Sequence, residues 1–248
     1  MMKTNILILA AAPAATQSEG SSFPLCLTEM DGVSLIEKIV QNTREIANPN
    51  YIFAFLKKEA DRYHLDKVAR LLQPAAKVVS LTEMTQGSAC TALLSVIEQD
   101  QESELLVISA NEYVDINFAK PLAEFRAKKM DGGVLTFRSL HPRYSYVRIN
   151  DAGMVTEAAQ QNPISNHATA GVFWFAKTAD YVDAAMSLVR KKASTNNKYY
   201  IAPVYNELVL KQAKIGTYPI ENSSYHPLKN ERQAQQFETG TPVWSMPV

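Results

Sequence analysis

Through the first half of the chain, short branched apolar runs alternate with longer stretches of helical spacing. Residues 5–10 form one such run, the pattern of a central parallel strand covered on both faces. Residues 34–47 then carry Leu35, Ile36, Ile39, Val40 and Ile46 at the spacing of an amphipathic helix. The same alternation predicts strands at 51–55, 77–81, 104–109 and 133–137. Between them fall helices at 57–72 (Tyr63, Val68 and Leu71 or Leu72 inward), 88–99 (Leu93, Leu94, Ile97) and 118–129 (Leu122 and Phe125 inward). Strand–helix–strand repetition at this spacing implies right-handed crossovers. The expected fold is therefore α/β, a Rossmann-like, mostly parallel (mixed) sheet with helices on both faces.

The second half changes character. Residues 144–149 and 154–159 flank Asn150-Asp151-Ala152-Gly153 and read as a hairpin. A strand at 172–175, helices at 179–191 and 201–211 and a late strand at 214–219 follow. The tail 239–248, with Gly240, Pro242 and Pro247, reads as irregular. No repeat, low-complexity segment or linker divides the chain, so residues 1–248 are taken as one domain. The apolar N-terminus could be a short signal peptide ending at Ala12-Pro13-Ala14, but it also reads well as the buried first strand. No run approaches the ~20 apolar residues a membrane span needs.

Charge narrows the function classes. Lys+Arg and Asp+Glu number 25 each, so the formal net charge is zero. That balance, without any basic run, argues against a nucleic-acid partner. Cys26 and Cys90 form no C-x-x-C or Cys/His cluster, which disfavours structural zinc and suits a reducing, cytoplasmic compartment.

In a parallel sheet, ligands lie beyond the carboxyl ends of the strands. The loop after the first strand, Ala11-Ala12-Pro13-Ala14-Ala15-Thr16, has small residues but none of the glycines or basic groups that cradle a phosphate. In Thr85-Gln86-Gly87-Ser88-Ala89-Cys90-Thr91, Ser88 could cap a helix and Gln86 could read a base edge with its carboxamide. After the fourth strand, where a Mg²⁺ enzyme wants a carboxylate, Asn111 comes first, with Glu112 and Asp115 nearby as weak metal candidates. His64, His141, His167 and His226 show no ligand spacing, and neither a nucleophile elbow nor a dinucleotide glycine fingerprint is present.

With these segments in order, the chain resembles the sugar-phosphate nucleotidyltransferases, and most closely their short capsule- and lipopolysaccharide-associated members. The likeness runs from about Asn5 to Phe237. It is carried by the 85–91 segment, Ser145-Tyr146-Val147-Arg148, Pro163-Ile164-Ser165-Asn166-His167-Ala168-Thr169-Ala170-Gly171-Val172 and Tyr200-Ile201-Ala202-Pro203-Val204-Tyr205-Asn206-Glu207-Leu208. The resemblance implies the nucleotide-diphospho-sugar transferase type of fold. It implies nucleotide contacts at Ala11, Ala12, Gln86, Gly87 and Asn111, and sugar-phosphate contacts at Tyr146, Gln160, Gln161 and Gly171. It also marks departures. The family's phosphate-binding lysine falls on Leu25, its metal-binding aspartate on Asn111, its Glu-Lys pair on Gln160-Gln161, and its acid before the late Phe-Tyr on Lys198.

Pyrophosphoryl chemistry depends on positioning and on neutralising charge with metal and cations. Losing one preorganised electrostatic group typically costs ~10²–10³ in rate. The first expectation is thus an impaired relative that binds a nucleotide or sugar phosphate, or supports a partner enzyme or a homo-oligomer. A second is an active Mg²⁺-dependent nucleotidyltransferase using Glu112 or Asp115 for the metal and Lys128, Lys129 or Arg148 for phosphates. A third is a glycosyltransferase of related fold, disfavoured because no Asp-x-Asp pair follows the fourth strand.

Overall fold

Alternate residues of the first strand, β1 (Thr4–Leu9), go to opposite faces of the sheet: Ile6 and Ile8 join one apolar core, Leu7 and Leu9 the other. The computed structural model describes residues 3–11 and 24–228. A tight Asp31-Gly32 hairpin joins β2 (Glu29–Met30) to β3 (Val33–Ser34), and both turn residues have positive φ, as a type I′ turn requires. Helix α1 (Leu35–Asn42) follows, capped by the Ser34 hydroxyl, which accepts from the Glu37 N–H. Next come β4 (Pro49–Leu56), α2 (Lys57–Tyr63), α3 (Leu65–Leu72), β5 (Lys77–Leu81), α4 (Ser88–Val96) and β6 (Glu104–Ser109).

The second half contains β7 (Glu112–Val114), α5 (Ala119–Ala127), β8 (Gly132–Arg138), β9 (Ser145–Ile149), β10 (Val155–Gln160) and β11 (His167–Phe175). It continues with α6 (Thr178–Arg190), α7 (Val204–Leu210), β12 (Ile215–Pro219) and β13 (Tyr225–Pro227). Among the described residues the main sheet has nine strands. Its backbone order is β10-β9-β11-β6-β1-β4-β5, and β8 joins β11 to β12. The β6-β1-β4-β5 half is parallel, while β11 enters antiparallel to β6 and β8, so the sheet is mixed. Helices α1, α2, α3 and α5 cover one face; α4, α6 and α7 cover the other.

Three local expectations need correction. The single helix expected over 57–72 is two, because His64 turns left-handed (φ 53) and its N–H closes onto the Ala60 carbonyl. The break lets Leu65 and Ala69 pack while Leu71 stays 84% exposed. Ser88 is the first helical residue of α4 rather than its cap; Gly87 holds the cap position at φ 116. Helix α4 also turns Leu94 and Ile97 outward and buries Ala89, Thr91, Ala92, Ser95 and Val96 instead. Small residues are what its approach to β1, β4 and α6 admits. The 239–248 tail and Ala12 lie outside the described residues. Among the described residues no helix is long and apolar enough to cross a membrane.

Candidate functional site

Strands β1 and β6 lie side by side and parallel, so Leu9, Ala11, Ser109 and Asn111 open at the same sheet edge. A cavity of about 240 Å³ lies there. One wall is the loop before α4 and its first turn: Met84, Thr85, Gly87, Ser88 and Thr91. The antiparallel strands supply Ser145, Gln160, Thr169, Gly171 and Phe173, and the stretch before α7 supplies Lys198, Tyr200, Ile201 and Ala202. Placement beyond strand carboxyl ends is where open α/β sheets bind ligands.

The loop before α4 is held by its own hydroxyls. Thr85 donates to the Gly87 carbonyl at 2.8 Å, and the Thr85 and Thr91 hydroxyls share a hydrogen bond at 2.7 Å. Tyr199 clamps the loop from outside: its N–H donates to the Gln86 carbonyl at 2.7 Å, and its carbonyl accepts from the Ala89 N–H at 3.0 Å. A Cβ at Gly87 would lie 2.3 Å from that carbonyl oxygen, so only glycine fits.

The opposite wall turns on Gly171. The pairing of β11 with β8 shifts register between Thr169 and Phe173, a bulge in which Gly171 takes φ 69. The Glu112 side chain packs on its open face, buried to 6% exposure, and accepts from the Tyr225 hydroxyl. Burial, and then Glu112, hold the Tyr225 hydroxyl far above the ordinary tyrosine range; burial pushes Tyr144 up to about 12. Both phenols therefore stay protonated, and that of Tyr225 remains a donor to Glu112. The Ser145 hydroxyl donates to Gln160 Oε1, which leaves the Gln160 amide nitrogen as its remaining donor group.

Of the residues expected at a site, Ala11, Gly87, Asn111, Glu112, Gln160 and Gly171 come together around this cavity. Gln86, Leu25, Tyr146, Gln161 and Asp115 do not line it. Gln86 offers its backbone to Tyr199 and leaves its side chain exposed. Tyr146 is fully buried, its hydroxyl donating to the His141 carbonyl. Leu25 lies half-buried in a 3₁₀ turn, Leu25–Leu27. Gln161, at φ 54, accepts from the Asn196 amide, and Asp115 is exposed and accepts from Tyr113. Thr85, Ser109, Ser145, Thr169, Lys198 and Tyr200 were not expected to line the site but do. Lys198 was legible only as a departure from a family pattern.

No protein-family model matches the chain, and no curated protein matches it. Solved structures do match. One is a nucleoside-diphosphate-sugar pyrophosphorylase from Vibrio cholerae RC9, with TM-score 0.79 and 21% identity over 94% of this chain and 98% of that one. The fold is the nucleotidyltransferase type. A Bacillus anthracis protein described as a glucose-1-phosphate thymidylyltransferase, in complex with a sucrose, matches with TM-score 0.73 and 13% identity over 99% of this chain and 98% of that one. The inositol-1-phosphate CTP transferase of T. maritima matches with TM-score 0.70 and 12% identity over 100% and 99%.

Enzymes of nucleotidyltransferase type commonly work through Mg²⁺, which takes oxygen ligands, usually one or two carboxylates plus substrate phosphates. Among the described residues no group of three or more His, Cys, Asp or Glu could hold a metal ion. The described lining has one carboxylate, Glu112, pressed against Gly171 and hydrogen-bonded by Tyr225. Glu112 is thus the one carboxylate that the described lining offers such an ion, and it is already engaged by Tyr225.

Proposed function

We propose that the chain binds a nucleotide or the phosphate of a sugar or related alcohol in this cavity without a metal ion, and that its nucleotidyl transfer is impaired. One observation carries the reading. The cavity stands at the ligand-binding edge of the sheet, yet its described lining holds only two charged side chains, the engaged carboxylate of Glu112 and the ammonium of Lys198, among hydroxyls and amides. Hydroxyls, amides and backbone N–H groups can bind an oxyanion. They do not supply the charge neutralisation that accelerates attack at phosphorus. The likeness to the V. cholerae pyrophosphorylase supports the ligand class; the resemblance of the 85–91, 163–172 and 200–208 segments to those of capsule- and lipopolysaccharide-associated nucleotidyltransferases suggests a role beside surface-polysaccharide precursors. The free thiols of Cys26 and Cys90 suit a cytoplasmic setting.

The deciding experiment pairs thermal stability with turnover. The purified chain is melted against nucleoside triphosphates, nucleotide sugars and sugar phosphates, in EDTA and in Mg²⁺, and the same mixtures are assayed for pyrophosphate release. A ligand that prefers the folded state raises apparent stability by mass action. The expected result is a metal-independent shift with no pyrophosphate release. The presence of Glu112 in the lining favours the other reading, an active enzyme, and Mg²⁺-dependent release would establish it. No shift with any ligand would remove the nucleotide site altogether.

A further inference from the structure

We propose that Lys198 is the built-in cation of this cavity, the group that neutralises a bound phosphate where related chemistry relies on a divalent metal; this rests on the ligand reading above. Lys198 is the one cationic side chain in the described lining. None of the ion pairs among the described residues involves it. Every other lining residue except Glu112 is neutral, and Glu112 is turned under Gly171 and held by Tyr225.

The backbone that presents Lys198 is fixed in advance. Asn196 (φ 50) and Asn197 (φ 57) are both left-handed, and Thr195 and Lys198 exchange N–H···O bonds at 2.9 and 3.0 Å. That is a two-residue hairpin of type I′, a conformation asparagine tolerates. The Asn196 amide donates to Gln161 at 3.0 Å, tying the turn to the end of β10. Immediately after, Tyr199 is locked against the loop before α4 by two backbone hydrogen bonds. Side chains then alternate: Lys198 and Tyr200 line the cavity while Tyr199 is buried between them. The ammonium thus hangs from an ordered strip, and only its own stem loses freedom when an anion binds. The Ser88 hydroxyl in the same lining can donate to the same oxyanion, while the protons of Thr85 and Thr91 go to the Gly87 carbonyl and to the hydrogen bond between them.

The ligand chemistry is a phosphate-bearing anion, either the monoester of a sugar phosphate or the diphosphate of a nucleotide. The test is calorimetric titration of the full chain with inorganic pyrophosphate, glucose 1-phosphate and CTP as separate probes, each in EDTA and in Mg²⁺. Wild type, Lys198→Met, Lys198→Gln and Lys198→Arg are compared, with thermal melts to confirm folding; two neutral variants guard against one that misfolds. The expected result is binding in EDTA, weakened about ten- to hundred-fold in both neutral variants, as for loss of a charged hydrogen bond, and largely kept in the arginine variant. Which probe binds tells the monoester from the diphosphate. Wild-type binding that the neutral variants leave unchanged, or that requires Mg²⁺, overturns the role of Lys198 and leaves the ligand site standing. Absence of wild-type binding to every probe, with and without Mg²⁺, overturns the ligand reading beneath it.

Discussion

Glu112 and Gly171 share one space: a Cβ on Gly171 would lie 2.1 Å from Glu112 Oε1 and 2.4 Å from its carboxyl carbon. The glycine also has φ 69, so a side chain there meets strain from its own backbone as well as from the carboxylate. Gly171→Ala is expected to cost ~2–4 kcal/mol, the sum of the left-handed penalty and overpacking. Removing the carboxylate should relieve the second part alone. In urea denaturation, Glu112→Ala with Gly171→Ala should therefore cost clearly less than the two single changes added together. Strict additivity would show that the two residues do not compete for this space.

Gly87 faces an unyielding neighbour of another kind, the Tyr199 backbone, with the carbonyl oxygen 2.3 Å and the nitrogen 2.7 Å from an added Cβ. Backbone atoms cannot rotate away, so Gly87→Ala must part the loop from the strip that carries Lys198. We expect the Ala89 and Tyr199 amides to lose hydrogen-exchange protection, because their bonds across this seam are the ones displaced. Ligand affinity should fall at least about tenfold with them, from misplacement of the cavity wall. Unchanged protection at both amides would refute the clamp.

How far the sequence reveals this arrangement depends on the range of each interaction. The strands at 77–81 and 104–109 are readable to the residue; the second is buried on both faces and carries the apolar run Leu105–Ile108 that such a strand needs, while the first is a partly exposed edge strand. Two hairpins carried a signal that went unread: Asp31-Gly32 and Asn196-Asn197 are both type I′ dipeptides, and the second presents Lys198. Other features had no local signal. Tyr146 points into the core because Ala168 of β11 pairs beside it, and β7 exists because Tyr225–Pro227 returns from far along the chain to pair with it. Leu94 and Ile97 look inward by composition, but the small face of α4 is the one that fits the sheet.

A buried ion pair anchors the opposite end of the central strands. Glu104 is fully buried; Arg126 grips both its oxygens, at 2.8 and 2.5 Å, and the Thr4 hydroxyl donates at 2.9 Å. Removing the cation strands a carboxylate out of reach of water. Arg126→Met is expected to lose ~3–5 kcal/mol in urea denaturation, and Glu104→Gln added to it should restore part of the loss. The exposed pair Lys57–Asp61 provides the contrast, since Lys57→Met should change stability by less than ~1 kcal/mol. Similar losses at both sites would mean that burial of Glu104 is not what gives its pair weight.

His226 makes stability depend on pH through the small β7–β13 sheet. Its ring stacks on Tyr113 at 5.8 Å, and Lys38 sits over the same tyrosine at 5.9 Å. Burial, with a smaller push from Lys38, holds His226 below the ordinary histidine value of 6.5 against the opposing pull of Asp115. His167 is lowered by burial and Arg138, and His141 by burial and Arg143. A histidine depressed in the folded state takes up its proton first in the unfolded chain, so acidification below about 6.5 favours unfolding until the folded form protonates as well. Stability should then fall as the pH drops from 7 towards 5, with a slope of at most ~1.4 kcal/mol per pH unit for each histidine. His226→Phe preserves the ring stack and removes the proton, so it should flatten part of that slope and leave stability at pH 8 nearly unchanged. The strand carrying His226 runs on to Leu228, whose N–H donates to the Asn111 carbonyl at 3.0 Å beside the cavity. Ligand affinity should therefore weaken over the same pH interval in the wild type and less so in His226→Phe, a difference that titrations at pH 5.5 and 7.5 would reveal or rule out.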